Sequence, residues 1–148
     1  FAILTTGLLA GVLDGLAAVV QHLLRGGRTP ERIFEYIASG VFGPPAMSGG
    51  TPMVMTGVCF HLLIALGWTS VFFVVAQRHV ALRRHAIVAA IGYGLFVWCA
   101  MNLLVLPLSR VPPAKSFNPT QAVIGALILV ACIGFPVSLR ARHHLGET

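Results

Sequence analysis

Carboxylates are scarce in this chain, with four Asp and Glu among 148 residues against ten Lys and Arg. No two of them form a pair suited to acid–base hydrolysis, and no His-Glu-x-x-His segment, nucleophile elbow or phosphate-binding glycine loop occurs. The motif chemistry of hydrolases and nucleotide enzymes is therefore missing, and a non-enzymatic role is expected. Cysteine is equally sparse. Cys59, Cys99 and Cys132 lie inside apolar runs without a Cys-x-x-Cys pair. They read as small buried hydrophobes, and no metal site is expected. Charged residues of either sign make up 9% of the chain, where an ordinary soluble domain carries about 25%. Water is not the main solvent of such a polypeptide.

Apolar residues fill the space that charge leaves, at 57% of the chain and a mean hydropathy of +0.88. They gather into four runs, at about 2–24, 52–76, 86–106 and 119–139. A hydrocarbon core about 30 Å thick takes roughly 20 residues of helix, so each run is long enough to cross. The pattern predicts an all-α integral membrane protein: one transmembrane domain over 1–148, four helices in an up-down bundle, and a short interfacial helix near 30–40. The first run lacks a basic leader and exceeds a signal-peptide core in length, so it is read as a span. The chain opens on Phe1, and residues preceding it are expected.

Local signals mark the helix starts. In Asn118-Pro119-Thr120-Gln121, Asn118 can cap free amides, Pro119 needs no amide partner, and Gln121 can reach back. Thr51-Pro52 and Thr29-Pro30-Glu31 repeat that logic. The second of these opens the short helix, where Ile33, Phe34 and Ile37 share a face and Glu31, Arg32 and Glu35 lie elsewhere. The run from Gly43 to Gly50 then reads as an irregular return to the membrane.

The basic excess flanks the apolar runs, so lipid headgroups and topology account for it rather than nucleic acid. Arg25, Arg28, Arg32, Arg110 and Lys115 lie on one side; Arg78, Arg83, Arg84, Arg140 and Arg142 lie on the other. The second set sits tight against the span ends, with histidines beside it. That places both termini in the cytoplasm.

Few polar residues interrupt the spans. Gly7, Gly11 and Gly15 repeat every fourth residue and form one helix face that admits a close neighbour, in the same chain or in another subunit. Asp14 lies near the midplane. Counting about 1.5 Å of rise per residue puts His61 a few Å towards the first loop, Asn102 farther that way, and Gln121 with Gln21 at that boundary. An intramembrane polar cluster of Asp14, His61, Asn102 and Gln121 is expected in that half, around a blind pocket rather than a continuous path. Such a cluster either fixes helix register or handles a proton or ligand. His61 is also a candidate ligand for the metal of a haem or chlorophyll, with Gly57 one turn earlier leaving room for the macrocycle.

The order Tyr36-Ile37-Ala38-Ser39-Gly40, Ser48-Gly49-Gly50, His61, Met101-Asn102 and Leu106-Pro107-Leu108-Ser109 resembles small bacterial four-span inner-membrane proteins of unknown function, of the YagU type. The resemblance implies the same layout and a bacterial inner membrane, and carries over no functional residue. The expectation on function is a non-enzymatic integral membrane subunit or scaffold packed within a larger membrane protein assembly. A small transporter or proton-coupled permease using Asp14 and His61, and a tetrapyrrole-binding protein using His61, are the alternatives.

Overall fold

In a computed structural model, which describes residues 1–112 and 118–146, four helices are long and apolar enough to cross a membrane. They are α1 (Ala2–Leu24), α3 (Gly50–Arg78), α5 (Ala86–Leu108) and α6 (Pro119–Gly146). Between them lie α2 (Glu31–Phe42), a 3₁₀ turn at Pro44–Ser48, and α4 (Val80–Arg84). The protein is an all-α membrane bundle with a lipid bilayer as its environment. Lys115 and Glu147 lie outside the described residues.

Helix ends depart from the sequence expectation at several points. Asn118 does cap α6, accepting a 3.2 Å bond from the Gln121 amide. Thr29 and Thr51 do not cap by side chain; the start of α2 is held by main-chain bonds from Arg32 to Thr29 and from Ile33 to Pro30, and α3 begins two residues before Pro52. Glycine ends α2: Gly43, at φ +77°, takes a conformation L side chains rarely adopt, and its amide bonds back to Ser39.

Proline shapes the last two spans. Pro107 does not close α5, which runs on to Leu108, and α6 passes through Pro136 to Gly146. Each proline is preceded by a π-helical turn, Met101–Val105 in α5 and Val130–Gly134 in α6. The physical cause is common to both: a proline ring clashes with the carbonyl four residues back. Those carbonyls belong to Leu103 and Cys132, at the centre of each widened turn.

Small residues set the close helix pairs. A Cβ at Gly7 would meet Leu66 at 2.7 Å, one at Gly11 would meet Ala65 and Leu62 at 3.0 Å, and one at Gly15 would meet the His61 ring at 3.2 Å. The glycine face of α1 therefore packs on α3 within this chain. A second small-residue seam joins α5 to α6. Gly94 abuts the Val130 backbone, Gly134 abuts the Ala90 carbonyl, and the Ser138 hydroxyl donates to Ala86 O at 2.7 Å. Each step is four residues on both helices, running in opposite directions along the two.

The α3–α5 seam differs. It is bridged by large rings: Trp68 packs edge-on to Phe96 with centroids 5.8 Å apart, and Phe72 meets Tyr93 at 4.7 Å. The Tyr93 hydroxyl donates to the Trp68 carbonyl, and the Trp68 indole N–H points at Met101 Sδ, 3.4 Å away. Below these rings, towards the second loop, Phe72, Phe73, Ala76, Ala10, Ala89, Val137 and Ala141 form a closed core. Above them the bundle is hollow. The cysteines are not buried: Cys59 and Cys99 are exposed on the bundle surface and Cys132 is half-buried.

Candidate functional site

The hollow half holds a cavity of about 390 Å³ to which every long element except α4 contributes. Asp14 comes from α1, Tyr36 and Ile37 from α2, His61 and Trp68 from α3, Val97 and Val105 from α5, and Ile133 from α6. The widened turns in α5 and α6 both contribute wall residues, which fits the frequent occurrence of π turns at functional sites. Ile133 belongs to the cavity and to the closed core at once, and so forms the floor between them. Leu63, Ile64 and Val41 are exposed at the rim. Since Leu63 and Ile64 lie mid-way along α3, the mouth opens sideways from the bundle rather than through its end.

Helix α2 covers this half. Its Phe34 backbone sits on Gly57 of α3, the Phe34 ring meets the His61 ring edge-on at 6.4 Å, and Phe42 stacks on Phe60 at 6.2 Å. Phe34 and Phe42 are eight residues apart yet reach one stretch of α3, so α2 crosses that helix instead of running along it. Its far end is tied to the segment just after α5, where the Arg110 amide donates to Gly40 O at 2.9 Å. The face expected from the sequence is incomplete. Ile33, Phe34 and Ile37 are half-buried, while Glu35, Ala38 and Ser39 are the innermost residues. Glu35 is 8% exposed and makes no hydrogen bond or ion pair among the described residues.

Asp14 and His61 meet at the cavity. Nε2 of His61 lies 2.9 Å from Gly11 O and 3.8 Å from Asp14 Oδ2. A carbonyl only accepts, so Nε2 carries a proton and donates it; in the neutral ring Nδ1 is then the free acceptor. The carboxyl and imidazole together form a group able to keep, lend or accept one proton inside an apolar wall. Tyr36 and Ser109 add two hydroxyls to the same lining. Burial pushes the Tyr36 phenol above its ordinary pKa.

The other two members of the expected cluster are elsewhere. Asn102 is exposed, and its amide donates to Trp98 O of its own helix at 2.9 Å. It lies within the π turn and satisfies its own N–H locally. Gln121 accepts a 2.9 Å bond from Gln21 across the α1–α6 contact, so it ties two helix ends together. The room expected at Gly57 for a macrocycle is occupied by the backbone of Phe34. No group of three or more His, Cys, Asp or Glu suited to a metal occurs among the described residues.

Fold and site together define a multi-pass helical membrane protein with a side-opening apolar cavity and a carboxyl–imidazole pair in its wall. Compared with known proteins, the chain matches no family model, no curated protein and no solved structure.

Proposed function

We propose that this chain is a non-enzymatic binding protein of a bacterial inner membrane, with both termini cytoplasmic, which holds one small lipophilic molecule in the cavity. The polar group of that molecule meets Asp14 and His61. One observation carries the reading: a space of about 390 Å³ with apolar walls, few convergent polar groups and a mouth towards lipid. That size and lining are typical of small-molecule sites, which run from about 300 to 1,000 Å³. A sideways mouth favours a ligand that partitions into the bilayer. The permease alternative has less support, because Phe72, Phe73, Ala76 and Val137 close the bundle beneath the cavity.

The test is organic extraction of the purified protein and mass spectrometry of what is released. The wild type should yield one small species near one per chain. Val105→Trp, which fills the space from the α5 wall, should release none, and Asp14→Asn should release less with the fold retained. Recovery of bulk lipid alone, in equal proportions from all three proteins, would sink the proposal.

A subunit role within a larger assembly is compatible with this reading. It is favoured by an apolar groove between α3 and α5 at the other end of the aromatic bridge, where Gly92 has open space before it and Val71, Val75 and Val88 are exposed. Extraction in mild detergent should then return other membrane polypeptides at fixed stoichiometry. A monodisperse, partner-free species would count against it.

A further inference from the structure

At the end of the bundle away from the cavity, α4 and the last turns of α6 border an open surface hollow of about 760 Å³. Arg83, Arg84 and Arg142 line it together with Val80, Leu139 and Leu145. Arg83 is anchored: its Nη1 donates to the carbonyl of Leu145, while its Nε is buried without an acceptor among the described residues. Arg84 and Arg142 are exposed and have no hydrogen bond or ion pair among the described residues. No carboxylate among the described residues answers these charges, since Asp14 is within a span and Glu31 and Glu35 belong to α2 at the other end. Three arginines thus line one hollow, and among the described residues Leu145 O accepts from one of their guanidinium groups.

A guanidinium is a planar fork of donors that matches the paired oxygens of a phosphate. The hollow also has a position. Leu139 directly precedes Arg140 where α6 turns from apolar to basic, so the arginines stand at headgroup depth with apolar side chains beside them. A free anion would use only the charged part. An amphiphile with a phosphate uses both.

We infer that this hollow binds an anionic phospholipid, with Arg83, Arg84 and Arg142 around the phosphate and Val80, Leu139 and Leu145 against the glycerol and first methylenes. The full chain, delipidated in detergent, is titrated with short-chain phosphatidylglycerol, phosphatidylcholine and inorganic phosphate and read by native mass spectrometry. Phosphatidylglycerol should bind at least about tenfold more tightly than phosphatidylcholine. The combined variant Arg83→Gln, Arg84→Gln and Arg142→Gln should lose that preference, and Arg25→Gln with Arg28→Gln at the other end should keep it. Should the triple variant fail to fold, the exposed Arg142→Gln alone should reduce the preference several-fold. Equal binding of the two lipids by the wild type, or an undiminished preference in the arginine variants, overturns the site. Displacement of the lipid by matched concentrations of inorganic phosphate makes it a free-anion site and overturns the lipid assignment.

Discussion

The two halves of this bundle are built from the same apolar alphabet and end in opposite states, one closed and one hollow. Towards the second loop, alanines from all four spans close around Phe72 and Phe73, and the small-residue seam of α5 and α6 lets backbones touch. Towards the first loop, the widened turn before Pro107 lines the wall, α2 crosses over α3, and Trp68 and Tyr93 hold α3 and α5 apart like pillars. Without a hydrophobic drive between helices in lipid, packing quality decides where space remains. Hydropathy alone does not separate the halves; residue size and the positions of proline do.

The sharpest way to break this contrast is to overfill the closed seam. Gly94→Leu would push a side chain into the Val130 backbone, which has no rotamer to yield, whereas Gly92→Leu on the same helix faces open space. We expect the first to cost upwards of about 3 kcal/mol and the second under about 0.5 kcal/mol, read by thermal unfolding in detergent. Similar losses from both would erase the distinction. Next in size, Phe73→Ala, from a residue 1% exposed, should cost about 3–5 kcal/mol by leaving a void in the closed half. Val105→Ala borders existing space and should cost less than about 1.5 kcal/mol.

Smaller effects sharpen the picture at single bonds. Asn118→Ala removes the cap of α6 and should cost about 1 kcal/mol. Ser138→Ala removes one buried bond across the α5–α6 seam and should cost about 0.6 kcal/mol, a typical value for such a bond in a membrane protein. The smallest concerns pH. Burial in the folded state raises the pKa of the Tyr36 phenol above its ordinary value near 10.0, so its neutral form is favoured by folding. Its contribution is intact below pH 10 and is lost as pH rises through the higher folded value. Unfolding midpoints measured at pH 8 and pH 11 should differ more for the wild type than for Tyr36→Phe.

Long apolar runs made the spans legible to within a few residues at most boundaries, because the bilayer imposes length directly. The placement of Asp14 and His61 in one half was legible for a similar reason, since rise per residue converts position into depth. Rotation about each helix was not. Asn102 has the right depth for the cavity and the wrong facing, because Val97, Met101 and Val105 form the inward row of α5 and Asn102 lies one position off it. Gln121 found Gln21, a partner whose equal depth was visible but whose helix adjacency was not. Pro107 and Pro136 were signals of widened turns, and ending the third run at 106 concealed one of them. The burial of Glu35 had no counterpart in the pattern of α2, where an acid on an amphipathic helix reads as solvated.

Gly15 and His61 carry a consequence for descent. The imidazole shares the Gly11 carbonyl because position 15 offers no side chain, and even a methyl group there would press on the ring at 3.2 Å. The two positions are therefore packed as one unit. Across relatives, any residue larger than glycine at 15 should arrive with a replacement at 61, while Gly67, which faces open space, is free to drift alone.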